Sequence, residues 1–275
     1  MHAVNVVFGG LVGAVLWPFR GMSPWVGLTA VSLLTALLML EVYKLTSNQA
    51  AIRRAKDRIK AHLLEMRLYK DDMRVTLSAQ AGVLKANLSY LAANLKPLAV
   101  MIVPLVLILA QLSVWYDRAP LATGRETLVK ARFEAGVDPA SLDLALEPPP
   151  FVEVTSPAVR IADLGEAVWR VRAVGPGSGR LVVRAGSLAF GKTVAAGGDR
   201  LARISALASR GSLAERVLYP GEPPLPGGGP VRSIEVLYPA AALPAFGLNV
   251  HWLVAYLVLS IVLGFALKGV LKVEI

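Results

Sequence analysis

The sequence predicts an α-helical membrane protein with three transmembrane helices, a cytosolic antiparallel helical hairpin, and an inserted extracytoplasmic domain that is mostly β and sandwich-like. Three observations carry this prediction. The 275 residues are 55% apolar and only 17% charged, whereas soluble domains are about a quarter charged. Three apolar runs approach the length of about 20 residues that crosses a hydrocarbon core as a helix. A long stretch before the third run alternates apolar and polar residues with a period of two, which is typical of strands.

The three apolar runs are the candidate spans, and they cover residues 24–43, 98–115 and 250–267. Helix is the expected conformation because backbone groups in lipid must be hydrogen-bonded within their own segment. Aromatic residues lie at the ends of the runs, where interfacial anchors are enriched. They are Trp25, Tyr43, Trp115, Tyr116 and Trp252.

A shorter apolar segment, residues 4–19, precedes the first span. It has 16 residues with three glycines, and it lacks the basic start and small-residue cleavage site of a signal peptide. We expect an interfacial or re-entrant segment that lies on the membrane before the first span. A fourth span is the alternative, and the sequence leaves it open.

Charge predicts the orientation of the chain. Residues 44–96 carry eleven Lys and Arg against four Asp and Glu, a net charge of +7 out of +10 for the whole chain. The positive-inside rule places this loop in the cytoplasm. The N-terminus and residues 117–247 are then outside and the C-terminus is cytoplasmic, which predicts an integral protein of a bacterial or archaeal inner membrane.

The basic loop is predicted to be a pair of helices. Residues 48–95 contain no proline, and apolar residues recur every three or four positions, which gives one apolar stripe per helix. Ser47 or Asn48 is the expected N-cap of the first arm, and Asp71 or Asp72 that of the second. We expect Pro97 to end the second arm.

The first arm carries the candidate contacts for clients, ribosome or lipid: Arg53, Arg54, Lys56, Arg58 and Lys60. One interpretation is a solvated basic surface near anionic lipid. The other is a docking surface for an acidic client, a chaperone or ribosomal RNA. Both stay open at this point. Aromatic residues are not interleaved with the basic ones, so no sequence-specific nucleic acid is expected as a partner.

The outside segment alternates with a period of two around residues 142–147, 152–155, 169–173 and 181–183, with a last strand at 234–238. Turns rich in proline and glycine separate these runs, which favours an antiparallel β-sandwich. Residues 201–208 are expected to form one short helix. Residues 220–230, PGEPPLPGGGP, are expected to be a loop rather than a packed element.

We expect no enzyme activity, because the sequence motifs that would indicate one are weak or missing. Residues 186–193 read GSLAFGKT and fit the phosphate-loop pattern, but the paired glycines that soon follow argue against the required helix. We therefore expect a chance match in a β-hairpin. The chain has no cysteine, its three histidines lie far apart, and it shows no catalytic triad or carboxylate pair. We expect no catalytic residue, no cofactor and no metal.

Few polar residues interrupt the spans. Such hydroxyl groups most often bond to their own backbone or pack a helix contact. The alternative is a mildly polar groove between the spans, which a kink at Pro104 would open. The groove candidates are Thr29, Ser32, Thr35, Gln111, Ser113 and Ser260, with Arg20 in the linker before the first span.

The expected organisation is the following: 1–23, interfacial or re-entrant segment; 24–43, first span; 44–96, basic cytosolic hairpin; 97–116, second span; 117–247, extracytoplasmic β-rich domain; 248–268, third span; 269–275, cytosolic tail.

This order resembles the YidC-type membrane insertase superfamily. The similarity is greatest to its minimal three-span branch: the archaeal insertase-like proteins, the insertase subunit of the ER membrane complex, and the ER transmembrane and coiled-coil domain protein. Residues 37–68, LLMLEVYKLTSNQAAIRRAKDRIKAHLLEMRL, carry the resemblance, with residues 115–133, WYDRAPLATGRETLVKARF. The domain at 117–247 is a departure from the minimal members. The family's groove arginine has no counterpart in the first span, and Arg20 is the nearest arginine.

The resemblance implies a membrane protein insertase or chaperone that helps client transmembrane segments enter the bilayer through the groove. The implied partners are the lipid bilayer, newly made membrane proteins, and the ribosome or other translocation subunits. The alternative is a structural or envelope-scaffold protein whose outside β domain binds a partner.

Overall fold

The computed structural model describes residues 2–198, 201–211, 213–245, 247–271 and 273. The chain divides into two compact units, and each boundary between them falls within a helix. The first unit combines Met1–Leu28 with Val106–Ala255, and the second combines Thr29–Leu105 with Tyr256–Ile275.

The helices in chain order are α1 (His2–Leu16), α2 (Pro24–Thr46), α3 (Gln49–Leu68), α4 (Met73–Tyr116), α5 (Leu213–Leu218) and α6 (Trp252–Leu267), with a 3-10 turn at Trp17–Phe19 after α1.

Two of these helices, α2 with 23 residues and α4 with 44, are long and apolar enough to cross a membrane. Only 39% and 33% of their most apolar windows are buried, so most of their surface is available to lipid or to another protein. Helix α6 is apolar but has 16 residues, about 24 Å at 1.5 Å per residue. These helices favour a membrane protein. The third span stays a prediction. The membrane placement of the apolar stretch Val7–Phe19, which covers most of α1 and the 3-10 turn, also stays a prediction.

The predicted caps of the basic hairpin are confirmed at Asn48 and Asp72. The Asn48 side chain accepts a hydrogen bond from the Ala51 amide at 3.0 Å, and Asp72 accepts from the amides of Arg74 and Val75 at 2.9 and 3.2 Å. These bonds satisfy amides that a helix start leaves without a partner. A four-residue turn between α3 and α4 follows from the second cap.

The expectation that Pro97 ends the second arm is wrong. Helix α4 continues through Pro97 and Pro104 to Tyr116, so the arm and the second span are one helix. Proline removes one intrahelical hydrogen bond. Strong helix-forming residues on both sides and the burial of Pro97 itself outweigh that loss.

The apolar stripe predicted on the second arm is present, but it does not pack the hairpin together. Small residues do so instead: Ala79 and Ala86 of α4 are buried, as are Ile52 and Ala55 of α3. The surface where α3 and α4 pack together, called the hairpin seam below, also contains Gly82, where an added Cβ would lie 2.6 Å from the His62 ring. The leucines of the stripe lie on the opposite side of α4 and are exposed.

The predicted β-rich region is confirmed. Its strands are β1 (Glu126–Phe133), β2 (Leu144–Glu147), β3 (Val152–Val154), β4 (Val159–Ile161), β5 (Glu166–Ala173), β6 (Gly177–Ala185), β7 (Leu188–Ala196), β8 (Leu207–Ser209), β9 (Val231–Val236), β10 (Leu243–Ala245) and β11 (Leu248–Val250). One sheet has the order β3-β5-β1-β9-β8, with β4 also paired to β5; a second has the order β2-β6-β7; β10 and β11 form a ribbon. The pairings are antiparallel.

The two larger sheets share one hydrophobic core. Val129 and Trp169 of the first sheet and Val183 and Phe190 of the second belong to a single buried cluster. This arrangement follows from the alternation in the sequence, which puts every second side chain of a strand on the same face.

Two expectations for this region need correction. Residues 201–208 are not a helix: they run irregularly into β8, because Leu207 and Ala208 pair with Glu235 and Ile234 of β9. Residues 220–230 form a loop as expected, but the loop is packed, since Leu225 belongs to the buried core.

Candidate functional site

A cavity of about 350 Å³ lies within the second unit, between α2, α4 and α6. Each helix lines it with residues three or four positions apart, which share one helical face. Helix α2 contributes Thr35, Met39 and Tyr43, α4 contributes Asn94, Leu98, Met101 and Leu105, and α6 contributes Tyr256, Ser260 and Gly264. The lining is mainly apolar, with a few hydroxyl groups and one amide.

The hydroxyl groups of α6 are the most unusual feature of the cavity. The Tyr256 side chain is fully buried, and Thr35 and Ser260 are among its polar neighbours. The Thr35, Tyr256 and Ser260 hydroxyl groups lie together as a small polar cluster in the otherwise apolar lining. A hydroxyl group both donates and accepts hydrogen bonds, so this cluster offers hydrogen-bonding groups to an occupant of the cavity.

Tyr43 and Asn94 supply a polar pair elsewhere in the lining. The Tyr43 hydroxyl donates a hydrogen bond to Asn94 Oδ1, and Asn94 Nδ2 donates to the Tyr90 carbonyl at 2.7 Å. Tyr43 also belongs to a buried cluster with Ile52 at the start of α3. The cavity is thereby joined through packed side chains to the base of the basic hairpin.

Only part of the predicted groove set reaches this cavity. Thr35 and Ser260 line it. Ser32 is buried but is not among the lining residues, and its hydroxyl has no partner among the described residues. Thr29 is exposed.

The remaining predicted residues belong to the first unit. Gln111 is buried, and its side-chain oxygen lies 3.1 Å from where a Cβ on Gly9 would be. Ser113 donates a hydrogen bond to the Ala110 carbonyl at 2.9 Å, the backbone bond expected of intramembrane serines. The Arg20 guanidinium lies over the Trp115 ring, 5.1 Å from its centre.

Tyr256 and Asn94 are absent from the set predicted from the sequence, and Tyr43 is predicted there as an interfacial anchor rather than as a cavity residue. A signal was present for α6, because Tyr256, Ser260 and Gly264 follow one another at intervals of four. The basic candidates lie on α3 as expected: Arg53, Arg54, Arg58 and Lys60 are exposed and Lys56 is half-buried.

The phosphate-loop match is confirmed as part of a β-hairpin, since its lysine lies in β7 opposite β6. Lys192 is buried, and its ammonium bonds Glu222 at 2.7 Å and the Ser205 carbonyl at 2.9 Å. Within the described residues, no group of three or more His, Cys, Asp and Glu lies close enough to hold a metal ion.

Comparison with protein-family models, with curated proteins and with solved structures finds no match to this chain. The cavity and the hairpin are therefore the features from which a function is inferred.

Proposed function

We propose that this protein is a membrane protein insertase or membrane-protein chaperone, in which the cavity between α2, α4 and α6 receives a client transmembrane segment. The observation that supports this most directly is a mainly apolar cavity whose lining includes the hydroxyl groups of Thr35, Tyr256 and Ser260. An apolar lining suits the apolar face of a client helix, and the hydroxyl groups suit its occasional polar group.

The energetic need for such a site is clear. A charged side chain at the bilayer centre costs about 2.5–3.5 kcal/mol or more, which hinders short or weakly hydrophobic segments. Hydrogen-bonding groups in the cavity lower the cost of moving a polar client residue past the lipid. Binding, not covalent chemistry, performs this task, so the proposal needs no cofactor.

The hairpin serves recruitment in this proposal. Its net charge of +7 attracts anionic lipid, acidic client segments or ribosomal RNA, and the attraction weakens over about 8 Å at physiological salt. The shared cluster of Tyr43 and Ile52 sets its base beside the cavity, so that a recruited client is delivered close to the site of entry.

Filling the cavity tests the proposal. Gly264 lines the cavity and has no atom within 4 Å of an added Cβ, so the first carbon of Gly264→Leu meets open space and we expect the rest of the side chain to extend into the cavity. We expect this variant, reconstituted in liposomes, to insert a short client less well than the unmodified protein. Val262→Leu is the matched control, because Val262 is exposed and is not in the lining. Equal insertion by all three proteins would count against the cavity as a client site.

Crosslinking provides an independent measurement. A photoreactive residue at Thr35 or Ser260 is expected to capture nascent clients, and the same residue at Val262 is not. The proposal fails if capture is equal at the three positions or absent from both cavity positions.

A second candidate function, a structural or envelope-scaffold protein, is supported by a depression in the β domain. It measures about 600 Å³ and is lined by Pro149, Phe151, Gly179 and Arg180 among others. Apolar rings beside one arginine suit a partner's extended segment with an acidic residue. Arg180→Glu separates the two functions: a scaffold variant loses its partner and with it the function of the protein, whereas an insertase variant inserts clients as well as the unmodified protein does.

A further inference from the structure

The outer face of the second hairpin arm is apolar, and no other part of the chain that the structure describes covers it. Five leucines of α4, at positions 77, 84, 88, 91 and 95, are each 57–67% exposed. The small residues Ala79, Gly82 and Ala86 pack toward α3 from the opposite side of the same helix. The leucines are therefore left over after the chain's own packing is complete, and they form a continuous stripe.

The stripe has the repeat of a coiled coil. When Ala81 is added to the five leucines, the separations are four, three, four, three and four positions, which are those of the a and d positions of successive heptads. The six residues are Leu77, Ala81, Leu84, Leu88, Leu91 and Leu95. A period of 3.5 residues keeps the stripe facing one partner helix along its whole length. An ordinary amphipathic helix has an apolar face at least about 100° wide, whereas a stripe confined to a and d positions is the narrower surface of a coiled coil, so the pattern indicates a helix as the occupant.

We propose that the occupant is a second copy of this chain, whose α4 arm pairs with the first in a parallel two-stranded coiled coil. Two copies inserted in one membrane have the same orientation and depth, so their stripes meet parallel and in register. Identical a and d residues then face one another about a two-fold axis. This inference goes beyond the proposed insertase function and does not depend on it.

The charges beside the stripe favour a like partner. The flanking e and g positions hold Ser78, Gln80, Lys85, Asn87, Ala92 and Asn94, so only one of the six is charged. The rest of the hairpin is strongly basic, and two copies approaching along another face would repel. In a parallel pair each g residue faces the e residue five positions later, which sets the neutral Gln80 opposite Lys85 of the second copy.

The chain contains no cysteine, so single cysteines report this contact without background. Leu84→Cys and Leu91→Cys occupy d positions, and an oxidant added to membranes is expected to join two copies through either. Ser89→Cys is the matched control: residue 89 is exposed on the same helix, but at a b position it lies too far from its equivalent for a disulfide, which needs Cα atoms within about 7 Å. No dimer at residues 84 and 91, or an equal yield at residue 89, would overturn the proposal.

The mass of the full chain in lipid nanodiscs supplies a second readout. We expect two copies per disc for the unmodified protein and a shift to one copy for Leu84→Glu with Leu91→Glu, while Ser89→Glu stays dimeric. Both leucines are exposed in the single chain, so the helix content is expected to be unchanged by circular dichroism. One copy for the unmodified protein, as expected if lipid or a client helix covers the stripe, overturns the proposal, and so does a dimer that survives the double substitution.

Discussion

Lys192 and Glu222 form an ion pair inside the β domain, with 2.7 Å between Nζ and Oε1 and with Lys192 fully buried. The second oxygen of Glu222 accepts a hydrogen bond from the Thr193 amide at 3.0 Å. Because Glu222 belongs to the loop at 220–230 and Lys192 to β7, this pair holds the loop against the sheet. A residue that the sequence places in a phosphate-loop pattern thus has a structural role.

Breaking this pair is expected to be costly. Lys192→Ala leaves the Glu222 carboxylate buried and uncompensated, which typically lowers the free energy of unfolding by about 3–5 kcal/mol. Lys192→Met with Glu222→Leu removes both charges and is expected to recover most of that loss. Thermal and denaturant unfolding of the full chain in detergent measures both variants.

The matched control is Arg184→Ala, which breaks the exposed pair of Arg184 with Glu147 at 2.6 Å. Exposed pairs contribute up to about 1 kcal/mol, so a small effect is expected. If Lys192→Ala were no more destabilising than Arg184→Ala, the buried pair would not be what holds the loop.

The hairpin seam depends on the absence of a side chain at Gly82. An added Cβ there would lie 2.6 Å from the His62 ring, closer than a carbon contact allows. Gly82→Ala gains about 1 kcal/mol in helix propensity, yet we expect it to lower the melting temperature because the ring must move. His62→Ala combined with Gly82→Ala is expected to be more stable than Gly82→Ala alone.

The control for propensity is Gly10→Ala in α1, where an added Cβ has no atom within 4 Å. This variant is expected to be neutral or stabilising in the same melting experiment. A Gly82→Ala variant as stable as Gly10→Ala would show that the seam is loose at His62.

Local sequence patterns are sufficient to predict most helices and strands, whereas the residues that line the cavity depend on how the helices are oriented. The strand around Trp169 and the caps at Asn48 and Asp72 follow from neighbours in sequence, so they could be predicted. Only the interval of four that Tyr256 shares with Ser260 and Gly264 indicates which face of the apolar helix α6 turns inward. Asn94 could not be assigned to a cavity, because Pro97 predicts a helix end between the hairpin arm and the second span. The helix expected at residues 201–208 is not formed, because the pairing of Leu207 and Ala208 with β9 overrides local helix propensity.

Acid is expected to weaken the sheet at Glu126. Hydrogen bonding and charge from Arg172, 2.7 Å away on the neighbouring strand, lower the pKa of the Glu126 carboxyl from its ordinary value of 4.5. The unfolded chain therefore binds a proton before the folded chain does, so this contribution to stability is complete above pH 4.5 and is lost as the pH falls through the lowered pKa. Stability measured against pH should show this loss in the unmodified protein and a flatter profile in Glu126→Gln. An identical profile for both would exclude Glu126 as its source.

The backbone at Gly27 lies close to two side chains of neighbouring helices. Within the first unit, a Cβ on Gly27 would lie 2.8 Å from the Tyr116 hydroxyl and 3.1 Å from Leu16 Cδ2. Tyr116 is buried and its hydroxyl donates to the Pro24 carbonyl at 3.3 Å, so the ring has little freedom to move aside. Small residues allow such helix contacts in membranes, and we expect Gly27→Ala to lower the melting temperature in detergent.

Tyr116→Phe tests the cause of that loss. It removes the hydroxyl that the new methyl group would meet, so Gly27→Ala with Tyr116→Phe is expected to regain stability relative to Gly27→Ala, at the expense of the bond to Pro24. Gly13→Ala is the matched control, since its nearest neighbour would be a Trp115 ring carbon at an ordinary 3.8 Å. If Gly13→Ala were as destabilising as Gly27→Ala, the loss would reflect helix glycines in general, not the contact with Tyr116.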